Sequence, residues 1–196
     1  MSGRLIKRVR EFLESTPVAN LQSISALVGD KNYAYVVMNH LVKRGEVKRI
    51  TRGYYTVRDD PSLLVHCLKP AYIGLQDAMS FHNLWEQETS PIIITNRRVR
   101  RGIREVMGHN VLVRRISRDY FFGYDHYEHG DFSLPVSDVE KTFIDMVYFG
   151  EMEKSMVRKF KTRIDRKRLE SYLTKYPVNF GKKVLALLSR EGKVDE

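Results

Sequence analysis

Apolar side chains recur at helical spacing in separate blocks over residues 1–45. Leu5, Ile6, Val9, Phe12 and Leu13 share one face of a helix over 4–14, with Lys7, Arg8, Arg10 and Glu11 turned outward. Thr16-Pro17-Val18 breaks that period. Asn20 is placed to cap a short second helix carrying Leu21, Ile24, Leu27 and Val28, and Gly29 stands where such a helix stops. Asp30 starts a third helix over 31–44, in which Ala34, Val37, Met38, Leu41 and Val42 face a core; Gly45 ends it. The spacing then shortens. Val47 and Ile50 are set among charged residues, Arg52-Gly53 supplies a turn, and Tyr54-Tyr55-Thr56-Val57 is rich in β-formers. Helices followed by a hairpin in this order predict a winged helix-turn-helix over residues 1–60.

The pattern changes after Asp59-Asp60-Pro61. Residues 63–68 and 75–84 read as helices on either side of Lys69-Pro70, and Pro91-Ile92-Ile93-Ile94-Thr95 reads as a buried strand. Further strands are expected at 111–113 and in the aromatic run 120–127, and 132–136 leads into a helix that Ser137 or Asp138 can cap. From about residue 153 the chain is basic and helical, with helices at 166–176 and 180–189. The expected fold class is α+β: an N-terminal winged helix-turn-helix, then an α+β domain over 61–196 whose end, 151–196, is a set of basic helices.

Charge sharpens this division. The chain carries 34 Lys and Arg against 24 Asp and Glu, a formal net charge of +10. The excess sits at the two ends: residues 1–58 hold eleven basic and four acidic side chains, 59–150 hold ten and thirteen, and 151–196 hold thirteen and seven. A basic unit is the footprint expected of a polyphosphate partner, because each neutralised phosphate releases condensed counterions. The composition, 42% hydrophobic over 196 residues, can fill real cores without a metal or disulfide, and the single cysteine, Cys67, excludes an intrachain disulfide. Charges at Arg4, Lys7 and Arg8 interrupt what would have to be the apolar stretch of a signal peptide, so a cytoplasmic location is expected.

If the third helix buries its apolar positions, Lys31, Asn32, Tyr33, Tyr35, Val36, Asn39, His40 and Lys43 lie on its outer surface. Those residue types suit a recognition helix. Asn pairs bidentately with adenine, Lys reaches guanine or phosphate, Tyr bonds phosphate, and an exposed valine meets a thymine methyl. The hairpin adds Lys48, Arg49, Thr51 and Arg52, cations and a hydroxyl where a backbone or flanking minor groove would lie. Arg97, Arg98, Arg100 and Arg101, followed by Arg104, form a second basic run that either touches nucleic acid or is a solvated loop. Lys154, Arg158, Lys159, Lys161, Arg163 and Arg166-Lys167-Arg168 either extend the footprint or are a solvated helical face.

The segment from Leu41 to Tyr55, Leu-Val-Lys-Arg-Gly-Glu-Val-Lys-Arg-Ile-Thr-Arg-Gly-Tyr-Tyr, resembles the winged-helix domain of the AbiEi family, the antitoxins of type IV toxin–antitoxin systems. Tyr72-Ile73-Gly74-Leu75 through Ala78, His82 and Leu84 is similar to the helix that opens the family's second domain, and residues 136–145, with Glu140-Lys141 and Asp145, to a later helix. The chain departs from the pattern at Asn83, where glycine is usual, and at Asp138-Val139, where a proline commonly precedes the glutamate. The resemblance spans roughly residues 5–148. It implies a transcriptional repressor of its own operon that reads inverted repeats in double-stranded DNA, and such an operator would suit a homodimer on the DNA. It further implies a nucleotidyltransferase-like toxin as functional partner, counteracted without a lasting complex, and no cofactor.

Two other classes are weighed. The first is a winged-helix regulator whose second domain senses a ligand or partner unrelated to toxins. The second is a nucleic-acid-processing enzyme, suggested by Asp125, Glu128, Asp131, Asp138, Glu140, Lys141 and Asp145. The spacing does not support an enzyme. Glu140 and Lys141 are adjacent, the acid-any-lysine match Glu46-Val47-Lys48 lies on the hairpin, and Gly-Ser is absent. Glu140 and Asp145 are read as a helix-start charge and a polar-face or internal ion pair. No catalytic residue is assigned. His126 and His129 would fall on opposite faces of a strand, so no metal site is assigned either. His82 and Cys67 are read as core positions, and the aromatic run from Tyr120 as core or dimer packing.

Overall fold

The structure is a computed structural model that describes residues 2–189. Its first unit follows the sequence pattern closely. α1 (Ser2–Ser15) leads into a short strand β1 (Ala19–Asn20), α2 (Leu21–Val28) and α3 (Lys31–Lys43) come next, and β2 (Lys48–Thr51) and β3 (Tyr54–Thr56) form the hairpin. Asn20 caps α2, its side chain accepting from Ser23 N–H at 2.8 Å. Asp30 caps α3 by accepting from Tyr33 N–H at 2.6 Å. Gly29 adopts φ +81° between them, a left-handed conformation that lets α3 start with only two residues separating it from α2. Val9, Leu13, Ile24, Ala34, Met38 and Leu41 close the core of this unit.

β1 was not anticipated. The break at Thr16-Pro17-Val18 leads into two residues that pair antiparallel with β3, giving a sheet in the order β1-β3-β2. A two-residue strand carries no alternation that a sequence pattern could register.

The second unit is built on a mixed six-stranded sheet in the order β6-β7-β5-β4-β9-β8, made of β4 (Ala71–Ile73), β5 (Ile92–Thr95), β6 (Gly102–Val106), β7 (His109–Arg115), β8 (Tyr124–His129) and β9 (Phe132–Ser137). Three strands differ from expectation. β4 occupies Tyr72 and Ile73, which the resemblance assigns to a helix, β6 occupies the end of the basic run read as a loop or a nucleic-acid contact, and β9 occupies the lead into the later helix; the strand expected over 120–127 starts only at Tyr124. The helices of this unit are α4 (Leu64–Cys67), α5 (Leu75–Phe81), α6 (Val139–Phe149), α7 (Lys154–Lys161), α8 (Arg166–Leu173) and α9 (Val178–Ser189). The fold class is therefore α+β, with helices first, a mixed sheet next and helices at the end.

The sheet is buried on both faces. Tyr72, Ile92 and Ile94 point into a core formed with α5 to α9, whereas Ala71, Ile73, Ile93 and Val113 point into a second core with α4. Ile50, Val18 and Tyr54 of the first unit also pack in that second core. A bulge places them there. β2 and β3 pair Arg49 with Tyr55 and then Thr51 with Tyr54, leaving Ile50 as the extra residue, turned away from the first core and onto the six-stranded sheet. Val47 and Ile50 thus serve different cores. The Arg58 guanidinium reinforces the junction, pairing with Asp131 and donating to the Thr16 carbonyl at 2.8 Å.

Candidate nucleic-acid interface

α3 exposes Lys31, Asn32, Tyr35, Val36, Asn39, His40 and Lys43, at the i, i+3, i+4 spacing that makes one continuous face. Burial of Ala34, Val37, Met38 and Leu41 on the opposite side forces that orientation. Val36 is 63% exposed and Tyr35 39%, so both side chains are open to solvent on this face. Tyr33 differs from its neighbours: it is half-buried and packs against the core of the first unit.

The hairpin presents Arg49 and Arg52 as exposed side chains and Thr51 as half-buried. Lys48 is engaged at 2.5 Å by Asp59, whose carboxyl this contact holds below its usual range. Arg44 and Arg10 are held by Glu46 at 2.7 and 2.8 Å, fastening α1 to the turn after α3. Among the described residues Lys31, Lys43, Arg49 and Arg52 make no ion pair, while every acid of the first unit except Glu14 and Asp30 is paired. This face can therefore offer cations and amide side chains to a phosphate backbone and base edges, with no acid on α3 to repel them.

The other arginines are placed elsewhere. Arg97, Arg98, Arg100 and Arg101 are all exposed in the loop from β5 to the edge strand β6, on the second unit. Arg104 donates to the Arg100 carbonyl at 2.6 Å and stiffens that loop. On the C-terminal helices several cations are partly engaged: Arg166 pairs with Glu170 at 2.8 Å, Arg168 lies 3.7 Å from Glu140, and Lys159 lies over the Trp85 ring.

Of the acidic residues that suggested a nuclease, Asp138 caps α6 by accepting from Lys141 N–H at 2.7 Å and also accepts from the Tyr172 hydroxyl, close to Lys141 and Asp145, and the remaining acids have separate surroundings. Asp125 and Glu128 are exposed on β8, Asp131 is taken by Arg58, and Glu140 accepts from Asp165 N–H at 2.7 Å. Lys141 and Asp145 form an ion pair of zero exposure, with Tyr72 donating to Asp145 at 2.7 Å and the rings of Tyr72, Phe122 and Tyr176 around the ammonium. Burial drives Lys141 down and Asp145 up from their ordinary ranges, and each partner opposes the other's shift. Gly123, at φ +70°, is required beside this pair, because a Cβ there would come within 2.9 Å of the Lys141 side chain. Among the described residues no three His, Cys, Asp or Glu side chains are grouped to hold a metal. His126 lies exposed on one face of β8 and His129 on the other, bonded to Asp60 at 2.8 Å. His82 is a satisfied core histidine, its ring nitrogen 2.7 Å from the Ser137 carbonyl oxygen, and Cys67 is a buried thiol pushed up to about 12 by desolvation. The aromatic run packs inward, Tyr120, Phe121, Phe122 and Tyr124 against the core of the helical face.

Sequence reasoning missed the groove between the units, lined by Asn20, Tyr54, His66, Lys69, Arg97 and His126 among others. Only the basic character of Arg97 was visible in advance. No helix is long and apolar enough to cross a membrane among the described residues.

No family model and no curated protein sequence matches this chain. Among solved structures it is similar to the Rv2827c protein from Mycobacterium tuberculosis, with a TM-score of 0.60 and 14% sequence identity over 97% of this chain and 83% of that one. At that identity the likeness is one of fold.

Proposed function

We propose that the chain is a sequence-specific, double-stranded DNA-binding repressor that docks α3 in the major groove and the β2–β3 hairpin on the flanking backbone. The first unit is read as a winged helix-turn-helix, with α3 as its recognition helix. The observation that carries this reading is the outward face of α3: Asn32, Val36, Asn39 and the unpaired Lys31 and Lys43 stand exposed together. The resemblance of residues 41–55 to the AbiEi family adds the finer role, a cytoplasmic antitoxin that represses its own operon and counteracts a nucleotidyltransferase-like toxin without a stable complex. Inverted-repeat operators would then be read by a homodimer.

The test is titration of the full chain against its own upstream DNA and a scrambled duplex of equal length, at roughly 50 and 200 mM salt, where counterion release weakens but base readout persists. Preference for the upstream duplex at both salts, lost in the Asn32→Ala/Asn39→Ala variant, is the expected result. Equal and salt-labile binding to both duplexes would remove the repressor reading. A neighbouring gene for a nucleotidyltransferase supports the antitoxin role, and its absence favours a regulator with a ligand-sensing second domain.

A further inference from the structure

The two units do not meet flush. Beside the apolar seam made by Ile50, Val18 and Tyr54 runs an open groove of about 440 Å³, within the usual size range of a small-molecule site. One wall comes from the segment joining α1 to α2, ending at Asn20, and from Tyr54 of the hairpin. The other wall comes from four separate parts of the second unit: the end of α4, the β5–β6 loop, β8 and β9.

The chemistry of those walls is one-sided. The groove is lined by Lys69, Arg97, His66 and His126, and by no aspartate or glutamate. Among the described residues the side chains of Lys69 and Arg97 make no ion pair and no hydrogen bond, although both units have acids elsewhere that are paired off. His66 Nε2 lies 3.1 Å from the Ser133 carbonyl, which can only accept, so the proton sits on Nε2. Burial, with Lys69 and then His126 nearby, holds the ring below its ordinary range. The polar residues Thr16, Asn20, Tyr54 and Ser133, with Pro17, Val18 and Cys67, complete the lining. A concave surface lined by two cations without ion pairs and by neutral polar residues suits recognition of a multivalent anion.

We propose that this groove is a binding site for a small free anion carrying phosphate or carboxylate groups, held between the two units by Lys69 and Arg97. Because one wall includes Asn20, whose side chain caps α2, the occupant touches the start of the helix pair that leads to α3. Occupancy therefore couples to the docking of the first unit on the second, and through it to DNA. Anion binding stands independently of the DNA reading; the coupling rests on it.

The probe is pyrophosphate, titrated calorimetrically into the full chain at constant ionic strength, with the Lys69→Ala/Arg97→Ala variant and, as a control, Arg118→Ala, an exposed cation on the 3₁₀ turn Arg118–Tyr120 that does not line the groove. Saturable single-site binding that weakens about tenfold or more in the double variant and survives in the control is expected, since each lost charge-assisted bond is worth that order of change. Non-saturable binding, or equal binding by all three proteins, overturns the proposal. The DNA backbone is the other source of phosphate. If it fills the groove, the double variant lowers the salt slope of DNA binding by about 2 and pyrophosphate competes with the duplex, which also overturns the proposal of a free anion. Pyrophosphate binding without any DNA preference would keep the site and remove the repressor. A unique melting transition in each variant shows that folding is not the cause of a loss.

Discussion

Two clusters of charged residues in this chain are handled in opposite ways. On α3 and the hairpin, Lys31, Lys43, Arg49 and Arg52 are exposed and unpaired, on short elements held from below by Ala34, Met38 and Leu41. Around α6, Lys141 and Asp145 are wholly buried, bonded to each other and enclosed by Tyr72, Phe122 and Tyr176. A buried charge must be satisfied from within, because an uncompensated one removes a large share of a domain's marginal stability. An exposed cation satisfied by nothing but water costs little and remains available. The contrast separates residues that hold this fold from residues free to serve a partner, and the predictions follow that line.

The largest effect falls on the buried pair. Lys141→Ala leaves the Asp145 carboxylate without its cation and is expected to destabilise the chain by about 3–5 kcal/mol in urea unfolding. Lys141→Met combined with Asp145→Leu should cost less than either single change, because no unpaired charge remains. A double variant as unstable as the sum of the singles would mean that the pair contributes through shape and not through charge.

A second buried acid acts through pH. Asp77, at the start of α5, accepts from Ile92 N–H at 3.1 Å, and burial raises its carboxyl to about 7, with Asp60 adding to the rise. The folded value lies above the unfolded one, so the fold binds this proton more tightly. Its stabilising contribution is complete below about pH 4, declines as pH rises, and is gone above about 7. Asp77→Asn keeps an acceptor for Ile92 without the ionisation. It should flatten the stability profile across that window and raise stability at pH 8 by up to about 4 kcal/mol, read by thermal melts from pH 4 to 8. A profile that keeps its slope in Asp77→Asn assigns the slope to other groups.

What was legible in advance divides along the same line. Caps at Asn20 and Asp30 and the stop at Gly29 are local matters of a few consecutive residues, so α2 and α3 were placed nearly to the residue, and with them the outward face. The failures are tertiary. β4 is three apolar residues, buried on both faces, that run straight into the apolar start of α5, so no change of period marks it. β6 is an edge strand whose Arg104 and Glu105 read as loop. The bulge at Ile50 turns that side chain onto the second unit, a contact that no local pattern announces. Asp145 reads from the sequence as part of a polar-face or internal ion pair with no partner assigned, and only the packing of Tyr72, Phe122 and Tyr176 around Lys141 makes the pair an interior one. The groove draws on separated stretches of chain and has no sequence signature at all.

On the exposed side effects move from stability to recognition. Asn32→Ala and Asn39→Ala should each weaken binding to the preferred duplex by about 1–3 kcal/mol and leave scrambled DNA unaffected. Arg52→Ala should weaken both duplexes alike and lower the salt slope by about 1. All three should leave the unfolding free energy in urea within about 0.5 kcal/mol of the parent, as expected for surface positions. A large loss of stability in Asn39→Ala would transfer that residue to the structural side of the comparison.

The smallest effect belongs to the residue that lies between the two classes. Lys48 is partly exposed on the hairpin yet paired with Asp59 at 2.5 Å, so to reach a phosphate it must first leave a carboxylate. Lys48→Ala should therefore reduce DNA affinity less than Arg52→Ala does, and Asp59→Ala should raise it, by no more than about fivefold in either case, because exposed pairs are weak and screened by salt. The Asp59→Ala gain should vanish in Lys48→Ala/Asp59→Ala. If the gain persists there, Asp59 acts only as a general repulsive charge near the duplex. If Lys48→Ala costs as much as Arg52→Ala, the ion pair breaks on binding, and pairing in the free protein is a poor guide to which cations this surface offers to DNA.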